Sequence, residues 1–291
     1  MLQKKKIKGY LNKYGTREMC RMKPLVSIVT PVYNGEKTIG ETIESVINQT
    51  YNKFEMIIVD DLSNDKTVDI IKKYQKKDDR IKLFILDKKG GASEARNFAI
   101  KKATGKYVAF LDGDDLWKKD KLEKQVKFME DSNIYFSYTD YCYIDNDGND
   151  LKQYRKCPKK VSYYRMLLGD SIGCLTVMYN RKAVGKIKIP ELKKRNDYAL
   201  WCLILKKVRI GYKYNDILSV YRKSRESLSS GKKYKLLKYH YQMHRKVNEL
   251  NTVSSAFFTL CNVINYLNNR IFREKTVIDE YHNESKITEE L

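Results

Sequence analysis

The sequence predicts an α/β sandwich, a parallel sheet with helices on both faces. Three observations predict it. Short apolar, β-branched runs recur at 24–30, 54–59, 81–86 and 107–111. The segments between them space their apolar residues as helices do, the alternation that builds a parallel sheet. The runs also stop at polar residues: PVYN at 31–34, Asp60-Asp61, and DGDD at 112–115.

Each element can be justified in turn. PLVSIVT at 24–30 is a buried first strand ending at Pro31. Residues 36–49 place Ile39, Ile43, Val46 and Ile47 at helical spacing. FEMIIV at 54–59 is a second buried strand, stopped by Asp60 and Asp61. Asn64 or Asp65 can cap the following helix, whose apolar positions include Val68, Ile70, Ile71 and Tyr74. Residues 81–86 form a third strand, Gly90-Gly91 breaks the chain, and a helix follows over about 93–103. YVAFL at 107–111 is a fourth strand that runs directly into Asp112-Gly113-Asp114-Asp115. To this point the pattern is Rossmann-like.

The remainder is less regular. It predicts a helix over 118–131, a strand over 135–144, a turn at 145–148 and a strand over 173–179. A further helix starts at Asp197 and carries Leu200, Trp201, Leu203, Ile204 and Leu205. Beyond about residue 232 a long helical stretch begins. The expected organisation is a basic extension over 1–23, a catalytic α/β domain over 24–230 and a helical region over 231–291.

Composition narrows the function classes. Lys and Arg outnumber Asp and Glu by 58 to 36, a formal charge of +22 over 291 residues. Such an excess favours acidic partners: phosphorylated substrates, an anionic membrane surface or nucleic acid. The basic residues cluster, eight against one Glu over 1–23 and thirteen against two acids over 206–246. The six cysteines are scattered without a CxxC pair, which suits buried thiols in a reducing cytosol. The N-terminus lacks an apolar h-region, and the apolar-leaning run 253–267 is too short and too polar to span a bilayer. A cytoplasmic protein is expected. His240 and His244 stand four residues apart without the Glu of an HExxH motif, so they read as packing residues rather than metal ligands.

In an open parallel sheet, ligands bind beyond the carboxyl ends of the strands. Here those ends carry Pro31 to Asn34, Asp60-Asp61 and Asp112-Gly113-Asp114. Converging carboxylates raise one another's pKa unless a cation neutralises them, and hard oxygen ligands suit Mg²⁺ or Mn²⁺ shared with a diphosphate.

PVYN at 31–34, VDD at 59–61 with SNDKT at 63–67, GASEARN at 91–97 and YVAFLDGDD at 107–115 resemble the family 2 glycosyltransferases of GT-A fold. The likeness continues through IGCLTVMYNR at 172–181, RNDYALW at 195–201 and YRKSRESLSS at 221–230. Together these segments are similar to the bacterial subgroup that builds teichuronic acid, capsules and O-antigens. The resemblance implies a nucleotide-diphospho-sugar transferase fold with a helical C-terminal extension. It places Pro31, Tyr33, Asp60, Asp61 and Arg96 around the donor nucleotide, with Asp61 accepting from the uracil ring and Asp60 supporting that loop. It makes Asp114 the metal ligand, Asp112 a contact to ribose or metal-bound water, and Asp197 the catalytic base. Two departures stand out. Asn196 precedes Asp197 where many members have Glu, and no His follows the Tyr221-Arg222 pair. Arg222 or Arg225 is expected to contact the leaving diphosphate instead.

The implied reaction is inverting hexosyl transfer from a UDP-sugar, a UDP-hexose or UDP-N-acetylhexosamine, to a hydroxyl of a polyprenyl-diphosphate-linked glycan. A direct displacement needs a carboxylate to take the proton of a weakly acidic sugar hydroxyl. The resemblance also implies work at the cytoplasmic membrane face. The net charge of +11 over 206–246 and the apolar residues Phe257, Phe258, Leu260, Val263, Ile264, Tyr266 and Leu267 suggest a peripheral, anionic-surface contact. The competing classes are a basic nucleic-acid-binding protein, for which no interleaved Arg-aromatic motif is visible, and an inactive nucleotide-sugar-binding scaffold.

Overall fold

The computed structural model describes residues 23–192, 194–223 and 234–268. Among them lies one mixed ten-stranded sheet. Its first half is the predicted one: β1 (Val26–Val32), α1 (Ile39–Ile47), β2 (Phe54–Asp60), α2 (Thr67–Gln75), β3 (Ile81–Ile85), α3 (Gly91–Lys102) and β4 (Tyr107–Phe110). These four strands are parallel in the order β3-β2-β1-β4. Strand order reverses at β1, so a crevice opens beyond the carboxyl ends of β1 and β4.

Successive residues of a strand face opposite sides, and both sides here are apolar. Val26 and Ile28 pack with Met56 and Ile58 against Ile39, Ile43 and Val46 of α1. Val29, Ile57 and Val59 pack on the other side against Ala95 and Ala99 of α3. The helix expected from 93 begins instead at Gly91, whose φ of +73° suits glycine. The N-cap of α2 is Lys66 rather than Asn64 or Asp65, although Asp65, one residue before it, accepts the Thr67 N–H at 3.0 Å.

The second half departs from a parallel sheet. It adds β5 (Leu116–Trp117), α4 (Lys121–Asp131), β6 (Phe136–Ile144), β7 (Asp150–Arg155), β8 (Lys160–Ser162), α5 (Tyr163–Leu168), β9 (Met178–Asn180), α6 (Arg181–Val184), α7 (Asn196–Val208) and β10 (Ile210–Arg222). The sheet runs β3-β2-β1-β4-β9-β6-β10-β5, with β7 on β6 and β8 on β10. Strand β9 is antiparallel to both β4 and β6. The strand expected over 173–179 splits into a 3₁₀ turn at Cys174–Thr176 and β9. Side chains hold that turn: the Trp117 indole N–H donates to the Leu175 carbonyl at 2.8 Å, and the Gln125 amide donates to that of Thr176 at 3.0 Å.

Two helices follow, α8 (Tyr234–Lys246) and α9 (Thr252–Asn268), where the sequence suggested one long stretch. The break is at Asn251, whose side-chain oxygen caps α9 by accepting the Ser254 N–H at 2.8 Å. They pack on each other, α9 rests against α5, and both meet Tyr198 of α7. Tyr198 of α7 donates to the Met166 carbonyl, and Asn262 of α9 donates to the Leu167 carbonyl at 2.8 Å. His240 and His244 are buried in this interface. No helix among the described residues is long and apolar enough to cross a membrane.

Candidate active site

The end of β1 and the loop after β2 are fastened together. Asn34 donates its N–H to Ser63 Oγ at 2.9 Å and accepts that of Asn64 at 3.0 Å, with Asn34 itself at a φ of +49°. Asp60 is buried and accepts from both the N–H and the hydroxyl of Ser63. The buried Asp61 carboxylate takes the N–H groups of Gly90 and Gly91, at 2.7 and 2.9 Å, and so fixes the start of α3. Ionised carboxylates have about four lone-pair sites, so Asp61 keeps acceptor capacity. Tyr33 is exposed, with the Lys89 ammonium 3.6 Å from its ring centroid.

Beyond β4 the acidic loop lies directly on β1. A Cβ at Gly113 would sit 3.0 Å from a Val32 methyl and 3.3 Å from the Pro31 carbonyl, which itself accepts the Gly113 N–H. Only a residue without a side chain lets the loop approach so closely. From α1, Thr38 donates to the Gly113 carbonyl at 2.9 Å and Thr42 to that of Asp115 at 3.0 Å.

Charge within the loop is uneven. Arg96 of α3 is buried and its Nη2 pairs with Asp112. Against the cost of burial, Asp112 and more distant Asp197 hold that guanidinium firmly charged. Its Nε is buried with no hydrogen-bond partner among the described residues. Asp114 opens to solvent yet is hemmed in by protein on most sides; that crowding and the Asp112 charge push its pKa up to about 6. Asp115 is buried outright, and burial with the charges of Asp114 and Asp112 raises it well above the carboxylate range. An accessible carboxylate whose negative form is disfavoured by its neighbours fits a divalent cation. Among the described residues no group of three or more His, Cys, Asp or Glu is placed to hold a metal, so such a cation would complete its shell with diphosphate oxygens and water.

Arg222, expected at the diphosphate, lies at the end of β10 with its donors turned to protein groups. It is 4% exposed. Its Nε donates to the Asp114 carbonyl at 3.0 Å, Nη1 to that of Asn146 at 3.1 Å, and Nη2 pairs with Glu41, while its N–H goes to the Asp115 carboxylate. These bonds clamp the acidic loop and occupy the guanidinium. Arg225 lies outside the described residues.

Asp197 stands in the first turn of α7, after Arg195 with its φ of +70°. It is half-buried, accepts the Tyr198 N–H at 2.9 Å, and acts electrostatically on Arg96, Asp170 and Cys174. Asp197 therefore lies within electrostatic reach of Arg96. Asp170 joins this group without a sequence signal beyond its place after Gly169. Burial and Asp197 raise its pKa to about 7, with Arg195 and Arg155 opposing. A second addition is Tyr221, whose phenol is raised by burial and by Asp115, Asp114 and Asp112; its ring meets those of Tyr143 and Tyr141 at 5.8 and 6.2 Å.

A crevice at the sheet's switch point, walled by carboxylates and a buried guanidinium, belongs to the α/β folds that bind nucleotides. Residues 27–187 match the profile of Glycosyl transferase family 2, and the chain belongs to that family. It is 42% identical over 239 residues to TuaG of Bacillus subtilis, named for a teichuronic acid biosynthesis glycosyltransferase, covering 82% of this chain and 94% of the relative. It is also 42% identical over 209 residues to WfgD of Escherichia coli, a UDP-Glc:α-D-GlcNAc-diphosphoundecaprenol β-1,3-glucosyltransferase, covering 72% of this chain and 81% of the relative. The structure of Staphylococcus aureus TarS 1–349 with UDP-GlcNAc superposes with a TM-score of 0.63 at 23% identity, over 80% of this chain and 70% of that one. The fold is GT-A.

Proposed function

We propose that this chain is a metal-dependent, inverting hexosyltransferase of cell-surface polysaccharide synthesis. It moves a sugar from a UDP-hexose or UDP-N-acetylhexosamine to a hydroxyl of a glycan carried on a polyprenyl diphosphate. The observation that carries this reading is the Arg96–Asp112 ion pair, 2.6 Å, on the acidic loop beyond β4, with Asp197 within electrostatic reach of that guanidinium. It supports a site with cationic and anionic groups suited to a diphosphate and a carboxylate available as proton acceptor. The activities named for TuaG and WfgD support the polysaccharide role and the lipid-diphosphate acceptor, and the UDP-GlcNAc bound to TarS supports the donor.

In this reading Tyr33, Pro31 and Asp61, with Asp60 bracing the loop, receive the uridine. Asp112 contacts the ribose side. Asp114, with Asp112, would hold Mg²⁺ or Mn²⁺, which supplies charge neutralisation to the leaving diphosphate. The Nε of Arg96, unpartnered among the described residues, is a preorganised donor for the same developing charge. Asp197 takes the acceptor's proton as its oxygen attacks the anomeric carbon from the face opposite the diphosphate, so an α-linked donor gives a β-linked product. Arg222 acts on the acidic loop and not on the diphosphate. The test is nucleotide release from a panel of UDP-sugars with polyprenyl-diphosphate-linked GlcNAc as acceptor. Acceptor-dependent UDP release is expected with at least one donor; none with any donor overturns the assignment.

A further inference from the structure

Helix α9 is built with its polar side inward. Ser255, Thr259 and Asn262, at i, i+4 and i+7, are buried. They are satisfied there: Thr259 donates to the Ser255 carbonyl, and Asn262 donates to the Leu167 carbonyl with its side chain 3.1 Å from the Tyr198 hydroxyl. The opposite face carries Val253, Phe257, Leu260 and Ile264, exposed by 79%, 57%, 58% and 49%. A helix on the surface of a soluble domain normally turns its apolar stripe to the core. Here polar contacts fasten the helix down and the apolar stripe faces out.

The stripe does not stand alone. Asn265 donates to the Leu168 carbonyl, so the end of α9 adjoins α5, where Tyr164 and Leu168, four residues apart, are also exposed. The three helices α5, α8 and α9 contain five Lys or Arg and neither Asp nor Glu. Arg165, Lys238, Arg245 and Lys246 are exposed among them. Bulky apolar side chains on a helix roughly 25 Å long, packed with helices whose exposed charges are basic but for Glu249 in the α8–α9 loop, match the boundary between headgroups and acyl chains. A second copy of the same face would bring like charges together, which disfavours self-association.

We infer that the outward face of α9, with Tyr164 and Leu168 of α5, is a docking surface for an anionic lipid bilayer. The helix lies in the plane of the interface, its stripe immersed and the flanking Lys and Arg against lipid phosphates. This rests on the lipid-linked acceptor proposed above and deepens it. Leu168 is followed directly by Gly169 and Asp170, and Asp170 feels the charge of Asp197. The docked face thus leads in sequence directly to Asp170, on the side from which a glycan held on a membrane lipid would arrive.

The test is flotation of the full chain with phosphatidylcholine vesicles, with and without about a third phosphatidylglycerol, at low and high salt. Wild type is expected to float with the anionic vesicles at low salt and to be released as salt rises. The double variant Phe257→Ser, Leu260→Ser should partition at least about ten-fold less while keeping the wild-type melting temperature, because both residues are exposed. Wild type that stays unbound, or a variant that floats equally well, overturns the inference. So does a wild-type dimer, seen by analytical ultracentrifugation, that the variant dissociates with flotation unchanged. Flotation needs no substrate, so its failure and a failure of the transfer assay are read separately.

Discussion

A single guanidinium nitrogen of Arg96 donates to both carboxylate oxygens of Asp112, at 2.6 and 2.7 Å. The pair fixes one end of the acidic loop from α3. Lysine keeps the charge but loses both the planar fork and the second donor at Nε. Arg96→Lys is expected to lower kcat by about a hundred-fold, the scale of removing one preorganised donor, with a smaller effect on donor KM. Steady-state kinetics with the donor identified by the screen measures it.

Asp114 is the most accessible carboxylate of the loop. Asp114→Asn keeps its size and removes the charge that attracts a cation. Turnover should fall by two to three orders of magnitude, about the effect of losing a main electrostatic stabiliser. Chelation by EDTA should abolish wild-type activity, and added Mn²⁺ should restore it in the wild type only. Full activity in EDTA would reject the metal.

For Asp197→Asn the expected split is between binding and chemistry. The amide still accepts the Tyr198 N–H, so α7 should be undisturbed. Calorimetry should find UDP-sugar affinity unchanged, while transfer falls by about 10²–10⁴, the usual contribution of a general base. Wild-type transfer rates would place the base elsewhere.

Arg222→Gln separates a clamp from a substrate contact. It removes donors to the Asp114 and Asn146 carbonyls and the pair with Glu41. Each such bond to a charged group is worth about 1.5–3 kcal/mol, so the variant should unfold at clearly lower denaturant. A variant of unchanged stability with only a raised donor KM would return Arg222 to the diphosphate.

Acid should loosen the C-terminal helices. Burial holds His240 and His244 neutral, with pKa values down to about 3 and about 4, the former helped by Arg195. Between about pH 6.5 and 4 the unfolded chain binds these protons and the folded one does not. Stability is therefore level above that window and falls as pH drops through it, by about 1.4 kcal/mol per pH unit for each histidine. Urea unfolding at pH 7 and pH 5 measures the slope, and His244→Leu should reduce it.

The strands β1 to β4 were legible because each is a short run dominated by apolar residues, and the ends of β1, β2 and β4 carry the polar residues that meet in the crevice. Strand β10 was not, because Asn215-Asp216 in its middle reads as a turn. The structure accommodates that pair with register shifts against β6, and Asp216 pairs with Lys124. The binding commitments of Arg222 and the nearness of Asp170 to Asp197 depend on long-range packing that no local pattern encodes. On α9 the sequence showed an apolar face but not its direction. Phe258 and Val263 are only partly exposed, and Phe258 lies against His244, while Val253 faces outward.

The Arg222 clamp also sets an order of events during synthesis. Its N–H reaches Asp115 across 107 residues of chain, and its Nε reaches Asp114 across 108. Strands β1 to β4 all lie within residues 26–110, so a nascent chain can pair them once that segment clears the ribosome. The acidic loop then rests on β1 but lacks its last tether until residue 222 emerges. A ribosome-bound chain halted before that point carries the four-stranded sheet with its acidic loop unfinished, so the loop reaches its final form late and at once, with the final strand.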